Sequence, residues 1–188
     1  MFAKKIIIGI KLFSGILITI SVIAIIYNSS ENKYYKKIEN KKISNFFNYV
    51  EIENEKYIAI IEIPKINLKA GLVEKTSKNN TVEKNIQILK ESSMPNKENT
   101  YLFLAAHSGS SKISYFKNIY KLNNKDKINI YYKNIKYTYI VNNKYKDNKT
   151  GIINIPKQTK TSLILTTCGK ENNKQLIIIS DLESKTKY

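Results

Sequence analysis

Two residues in this chain carry side chains suited to nucleophilic catalysis, and each type occurs once. Cys168 is the sole cysteine and His107 the sole histidine, and each follows a short apolar run, Ser162–Thr167 and Tyr101–Ala106. Such runs predict buried strands, which would present the two side chains at exposed strand ends. This context suits a thiol–imidazole pair for acyl transfer. The alternative is that Cys168 is a small buried hydrophobic residue without chemistry.

The motifs around both residues resemble those of sortases, the cysteine transpeptidases that attach surface proteins to Gram-positive cell walls. L-T-T-C at Leu165–Cys168 resembles the T-L-x-T-C motif of the family, with Ile164 in place of its first threonine. A-A-H-S-G at Ala105–Gly109 resembles the segment around the catalytic histidine. I-E-I-P-K-I-N-L at Ile61–Leu68 resembles the opening strand and turn, and F-x-x-I-x-x-L at Phe116–Leu122 resembles a later family motif.

The resemblance implies a catalytic cycle with named residues. Cys168, as a thiolate, would attack the carbonyl of a threonine–glycine bond in a C-terminal, LPxTG-like sorting signal. His107 would protonate the leaving amine and later deprotonate the incoming one, and Thr167 would support substrate and thiol by hydrogen bonding. The acyl group would then pass to an amine of a peptidoglycan precursor or a pilin lysine. No cofactor is implied, and no acidic group is compact enough to predict the calcium site of some sortases.

The third catalytic residue of sortases, an arginine on the strand after the cysteine, has no counterpart because the chain contains no arginine. Aligning the family pattern R-x-V-V-x-A with Gln175–Ser180 places Gln175 at this position and Lys174 beside it. A glutamine amide can donate to an oxyanion, and a lysine can supply charge without the planar fork. Because neighbouring strand residues face opposite sides, only one can face the thiol, and the spacing favours Gln175. The alternative is that both are merely solvated.

The chain after Lys56 contains seven or eight short apolar runs separated by turn residues, which predicts an all-β antiparallel barrel or sandwich. The resemblance narrows this to the closed antiparallel β-barrel of sortases, with short helices. Pro64 would end the first strand because proline has no N–H to donate. Lys133-Asn134 predicts a two-residue hairpin turn.

Two segments of this domain give weaker signals. Thr81–Leu89 is compatible with a short helix capped by Thr81 or with a strand. Ser114–Leu122 predicts a short helix that places Phe116, Ile119 and Tyr120 on one face.

The N-terminal segment Ile6–Tyr27 is 22 residues long and almost entirely apolar, with Lys11 as its one charge. At about 1.5 Å per residue, a helix of this length crosses a hydrocarbon core of roughly 30 Å. We therefore predict an uncleaved, single-pass membrane helix. The alternative, a cleaved signal peptide, fits the length less well, and no clean A-x-A cleavage site follows. Lysines flank both ends, so the resemblance decides the orientation, with the N-terminus cytoplasmic and the catalytic domain extracellular.

The polar, lysine-rich segment after the anchor has apolar residues at rough helical spacing and predicts one or two helices. We expect Phe46, Phe47 and Val50 to pack it on the catalytic domain; a helix lying on the membrane surface is the alternative. The predicted segments are a membrane anchor at 1–28, a partly helical stalk at 29–55 and a catalytic domain at 56–188.

The formal net charge of +17 is the excess of 32 basic over 15 acidic residues. All of the basic residues are lysines, and they are dispersed along the chain. Nucleic-acid binding is disfavoured because arginine, which makes bidentate base and phosphate contacts, is missing and no long lysine block occurs. A basic domain beside anionic wall polymers or lipid headgroups fits better. The alternative functions are a catalytically weakened enzyme or a non-catalytic, membrane-tethered binding module. A hydrolase that uses water instead of an amine is a smaller variation.

Overall fold

The computed structural model describes residues 2–47, 57–150, 153, 155, 160–169 and 173–188, with helix side chains from Leu17 onward. The chain forms two compact units, Met1–Asn40 and Lys41–Tyr188. The elements are helix α1 (Phe2–Phe47) and strands β1 (Ala59–Ile63), β2 (Leu68–Leu72), β3 (Gln87–Ile88), β4 (Tyr101–Ala105), β5 (Lys127–Tyr132), β6 (Ile135–Asn148), β7 (Ser162–Cys168) and β8 (Lys174–Lys187), with 3₁₀ turns at Pro64–Ile66 and Ile119–Lys121.

Helix α1 continues without a break through the junction predicted between anchor and stalk. The sequence from Leu17 to Phe47 contains neither glycine nor proline, so nothing in it interrupts the helical hydrogen bonding. The predicted helix after the anchor is confirmed as far as Phe47, as part of this single helix. Val50 and the rest of the predicted stalk lie outside the described residues. Among the side chains that the structure describes, no helix is long and apolar enough to cross a membrane.

The second unit is an eight-stranded sheet with the order β2-β1-β5-β6-β8-β7-β4-β3. The predicted all-β architecture is confirmed, with two corrections. The sheet is nearly closed and barrel-like, and no ladder joins β2 to β3 among the described residues. It is also not wholly antiparallel, because β4 and β7 pair in parallel. A parallel pair needs a long crossover, and the chain between Ala105 and Ser162 supplies one that contains the β5–β6 hairpin.

Strand alternation divides the buried side chains between two faces of the sheet. One face carries the larger core, which includes Leu104 of β4, Leu165 of β7 and Ile178 of β8. The opposite face of the same strands carries a smaller group that we call the second cluster. It consists of Phe103, Ile164, Ile177 and Ile179, against which Leu89, Tyr101, Tyr145, Ile153 and Ile155 pack.

Two predicted turns are confirmed, the one that ends β1 and the hairpin loop between β5 and β6. Pro64 ends β1 and begins a 3₁₀ turn, which closes on Asn67 in the left-handed conformation (φ 52°). Lys133 and Asn134 both have positive φ, at 49° and 61°, and join β5 to β6 as a two-residue hairpin loop. Positive φ at both central residues is the geometry that matches the twist of the paired strands.

The weaker segments differ in part from the predictions. Ser114–Leu122 holds turns and one 3₁₀ turn, and Tyr120 is exposed while Phe116, Ile119 and Leu122 are fully buried. The buried residues are three positions apart, which is the period of a 3₁₀ helix. The predicted helix, with Tyr120 on the buried face, was therefore wrong. Thr81–Leu89 forms turns followed by the short strand β3, so the strand alternative is correct for its C-terminal part.

The last turns of α1 pack on the sheet through aromatic side chains, as predicted for Phe46 and Phe47. Both rings lie against a buried group consisting of Ile43, Tyr57, Ile60 and Val73. The Phe47 ring meets Tyr131 edge-on at 5.2 Å between centroids, and the ammonium of Lys69 lies 4.8 Å from the Phe47 centroid. Edge-to-face rings and a nearby cation add to the stabilisation that burial of this contact provides.

Beside this aromatic contact, Glu62 of β1 is the centre of a polar network. Its carboxylate accepts hydrogen bonds from the Tyr131 hydroxyl (2.8 Å) and the Asn129 amide (3.1 Å), and Lys69 Nζ lies 3.8 Å away. Burial acts to raise the pKa of Glu62, but these hydrogen bonds and the charges of Lys69 and Lys136 outweigh it and hold the pKa below its ordinary value of 4.5.

We predict that Glu62→Gln lowers the free energy of unfolding by about 1 kcal/mol at neutral pH, because the charged acceptor is lost. A carboxylate with a lowered pKa in the folded state stabilises the protein above its unfolded-state pKa. That contribution disappears as the pH falls through the lowered value. The difference between wild type and variant, measured by urea unfolding at successive pH values, should therefore shrink below pH 4.5.

The matched control is Glu183→Gln, which removes an exposed carboxylate 3.9 Å from Lys127 and should change the free energy of unfolding little. If the free energies of unfolding of wild type and Glu62→Gln differed by the same amount at every pH measured, the role of the ionised carboxylate would be contradicted.

Candidate active site

His107 and Cys168 follow equivalent positions of the parallel pair β4–β7. The register joins Ala105 to Thr166, and each of the two residues lies two positions beyond this last pair. Because parallel strands end at the same edge, the fold brings the histidine and the cysteine to one edge of the sheet. The sequence separates them by 61 residues, so this pairing is what makes them neighbours.

Hydrogen bonds cross between the two strand ends in both directions. Thr167 Oγ1 donates to the carbonyl oxygen of Ala106 at 2.6 Å, directly before the histidine. Ser108, the residue directly after the histidine, donates from its Oγ to the carbonyl oxygen of Cys168 at 2.8 Å. The main chain of His107 is held on its other side, where its carbonyl accepts the N–H of Phe116 at 3.0 Å. Both candidate catalytic residues therefore lie on main chain that is fixed by neighbouring bonds.

Cys168 is exposed, whereas the rest of β7, Ser162–Thr167, is buried. Within the strand it shares a face with Ile164 of the second cluster. Gly169 follows it, and its N–H donates to the carbonyl oxygen of Lys174 at 2.7 Å. A Cβ at position 169 would lie 3.0 Å from that oxygen, which explains the glycine. A rigid strand thus delivers an accessible sulfur atom.

The structure places Gln175 and Lys174, the two candidates to replace the missing arginine, on opposite faces of β8. Gln175 pairs directly with Cys168 across β7 and β8, so the two side chains share a face. The Gln175 side chain is buried, and its Nε2 donates to the carbonyl oxygen of Asn148 at 3.2 Å. Lys174 lies on the opposite face, where its Nζ donates to Asn148 Oδ1 at 2.7 Å. The roles predicted for both remain predictions.

Lys149, which the sequence analysis did not single out, contacts the thiol. Its Nζ lies 3.6 Å from Cys168 Sγ, within hydrogen-bonding distance for sulfur. Without arginine, lysine is the side chain that can supply a permanent positive charge, and the sequence analysis considered Lys174 and not Lys149 among the 32 lysines. Selection required the order β6-β8-β7, which places the end of β6 across β8 from the end of β7.

Among the residues that the structure describes, no three His, Cys, Asp or Glu side chains are grouped closely enough to hold a metal ion.

The comparisons with known proteins agree with this fold. A family model of the sortase domain matches residues 61–183. Sortase A from Listeria monocytogenes is 21% identical, with 70% of this chain and 90% of that one covered at a TM-score of 0.60. A sortase D5 transpeptidase from Clostridium perfringens is 23% identical (79% and 98% covered, TM-score 0.60). Sortase C1 from Streptococcus agalactiae is 26% identical (71% and 71% covered, TM-score 0.60). No curated protein matches the sequence.

The family model covers well over half of the chain, which therefore belongs to the sortase family. Its enzyme class is that of the sortase-type cysteine transpeptidases, as the motifs around Cys168 and His107 predicted.

We predict that Thr167→Val lowers the free energy of unfolding by about 1–3 kcal/mol, because valine keeps the shape but leaves the buried Ala106 carbonyl without its donor. The chain before His107 would also lose a fixed point, so acyl-enzyme formation should slow by about tenfold or more. Thr167→Ser, which keeps the hydroxyl, is the matched control and should retain most of both properties. Equal loss in the two variants, measured by thermal unfolding and single-turnover kinetics, would show that packing of the methyl group matters instead.

Proposed function

We propose that this chain is a membrane-anchored transpeptidase that cleaves an LPxTG-like C-terminal sorting signal through a thioester on Cys168. The acceptor is an amine of a peptidoglycan precursor or a pilin lysine. The observation that carries the proposal is the position of His107 and Cys168 at the same edge of the parallel β4–β7 pair, with the sulfur exposed. A non-catalytic binding module would not require this arrangement.

In the first half-reaction, the thiolate sulfur of Cys168 attacks the carbonyl carbon of the threonine–glycine bond, and an electron pair moves onto the carbonyl oxygen. When the C–N bond breaks, the proton carried by His107 passes to the leaving nitrogen. The C-terminal fragment departs as an amine, and the upstream part of the substrate remains as a thioester.

In the second half-reaction, the incoming amine attacks the thioester carbon and transfers a proton to His107. The C–S bond then breaks, an amide forms, and the thiolate is regenerated beside a protonated imidazole. The Thr167 hydroxyl donates to the main chain directly before His107, which fixes this strand end, and the support of the substrate that the resemblance implies stays a prediction. Gln175 faces the same side as Cys168, while Lys174 would need to leave Asn148 to reach a substrate.

Apolar surface on the face of Cys168 supports an apolar substrate segment. Tyr145, Ile153 and Ile155 are half-buried and pack on the second cluster, which shares its face with the thiol. The leucine and proline that precede the threonine in an LPxTG-like signal are apolar, so burying them here is favourable. The same face thus offers a binding surface and a nucleophile.

The proposed anchor is the apolar segment Ile6–Tyr27, with the N-terminus in the cytoplasm and the catalytic domain outside the cell. What supports it is the length of the segment and its lack of a polar face. Within its described half, apolar side chains are exposed on every side of the helix: Leu17, Ile18, Ile20, Val22, Ile23, Ile25 and Ile26. Contiguous exposed apolar surface of this kind calls for a lipid or protein environment.

We predict that the full chain, solubilised in mild detergent, forms a thioester adduct with an LPxTG-type peptide, detectable by intact mass. Cys168→Ala should form none because the sulfur is absent. Ser110→Ala, which alters an exposed residue of the same edge, is the matched control and should form the adduct at the wild-type rate. An adduct on Cys168→Ala would show that another residue is the nucleophile.

We predict that the full-length chain stays in the membrane fraction after alkaline carbonate washing. The double variant Leu17→Lys/Ile20→Lys should be released, because each charge near the centre of a span costs roughly 2.5–3.5 kcal/mol. Ile38→Lys, beyond the apolar segment, is the control and should stay bound. A shortened, secreted form of the wild type would mean that Ile6–Tyr27 is a cleaved signal.

A further inference from the structure

We propose that Lys149 is a catalytic residue, the active-site cation that stabilises negative charge on the Cys168 sulfur and then on the carbonyl oxygen of the tetrahedral intermediate. This inference rests on the proposed function, since it takes Cys168 as the nucleophile. The observation behind it is the contact of 3.6 Å between Lys149 Nζ and Cys168 Sγ.

Acyl transfer to a thiol moves negative charge from sulfur to the carbonyl oxygen of the carbon that it attacks. A cationic donor beside the sulfur can therefore follow the charge with a small movement of its own, and preorganised donors of this kind contribute strongly to catalysis. The chain has no arginine, and His107 is committed to proton transfer. The remaining cationic side chains are lysines, and Lys149 is in contact with the sulfur.

The strand order places Lys149 on the correct side of the sheet. Gln175 of β8 pairs with Cys168 of β7 on one side and with Asp147 of β6 on the other, so these three positions form one row on one face. Lys149 directly follows the last residue of β6, and the contact of its Nζ with Cys168 Sγ shows that its side chain reaches this face. Its ammonium thus approaches the sulfur from across β8.

The main chain that carries Lys149 is fixed by bonds to β8 and to the residue before it. The N–H of Lys149 donates to the carbonyl oxygen of Asn173 at 2.7 Å. The Gln175 amide donates to the carbonyl oxygen of Asn148, the preceding residue. Gln175, which the family pattern aligns with the arginine, thus helps to hold the strand end from which Lys149 reaches the thiol. The side chain of Lys149 itself is exposed and retains the mobility to follow the charge.

The first test measures charge at the thiol without a peptide substrate. The full-length protein is alkylated at one pH with anionic iodoacetate and with neutral iodoacetamide, and the ratio of the two rates is compared between variants. A cation 3.6 Å from the sulfur attracts iodoacetate, so Lys149→Met should lower the ratio about threefold or more. Lys149→Arg should keep it high, and added salt should lower the wild-type ratio toward that of Lys149→Met.

The second test follows acyl-enzyme formation in single turnovers with an LPxTG-type peptide. Lys149→Met should slow it by roughly tenfold or more, less than the loss of a buried oxyanion donor because the ammonium is exposed. The matched control is Lys146→Met, which removes the same charge three residues earlier, from the opposite face of β6. It should leave both the rate and the alkylation ratio within about twofold of the wild type.

The outcomes separate this inference from the proposed function. If the wild type forms no acyl-enzyme but Lys149→Met still lowers the alkylation ratio, the proposed function fails and the cation at the thiol stands. If acylation proceeds and Lys149→Met changes neither quantity, the inference about Lys149 is wrong. It is also wrong if Lys149→Met and Lys149→Arg slow acylation equally with no change in ratio, because a structural role would then explain the loss.

Discussion

The parallel pairing of β4 with β7 is the constraint on which the active site depends. Five paired positions, from Tyr101 with Ser162 to Ala105 with Thr166, set the level at which the two strands end. A slip of one residue would turn the side chains of one strand to the other face and move Cys168 out of register with His107. The crossed bonds from Thr167 and Ser108 hold this register at the point where the chemistry takes place. The positions of β8 and β6 follow from it, since each pairs with the strand before it in the sheet.

The sequence was sufficient for most features that depend on residues close together in the chain, although not for the 3₁₀ turn within Ser114–Leu122. Apolar runs predicted the strands, Pro64 and Lys133-Asn134 predicted turns, and the contexts of Cys168 and His107 predicted the pair. Strand direction and neighbourhood were not predictable, because alternation shows which side chains share a face but not which strand lies beside it. For this reason the parallel pair was missed. Lys149 was missed for the same reason, since its contact with the thiol depends on the β6–β8–β7 order.

In an active site without arginine, the hydrogen bonds and the positive charge that one guanidinium supplies have to come from different residues. An arginine can bind an oxyanion through two N–H groups and carry the charge at the same place. Here the strand position facing the thiol holds Gln175, whose amide binds the neighbouring main chain, and the proposed charge comes from Lys149, directly after the end of β6. A single ammonium on a flexible chain is less well oriented than a guanidinium and more exposed to salt. We therefore expect this enzyme to be more sensitive to ionic strength than a sortase with the arginine.

We propose that His107 and Cys168 act as a pair in which the imidazole supplies the proton to the leaving group. The decisive experiment compares His107→Ala with wild type on two substrates that share the same acyl part. One has the natural glycine amide as its leaving group, and the other has a thiol, which departs without being protonated. We expect the rate of acyl-enzyme formation in single turnovers, which excludes the later attack by the amine, to fall about 10²-fold or more on the amide and much less on the thioester. Equal losses on the two substrates, or no loss on the amide, would contradict it.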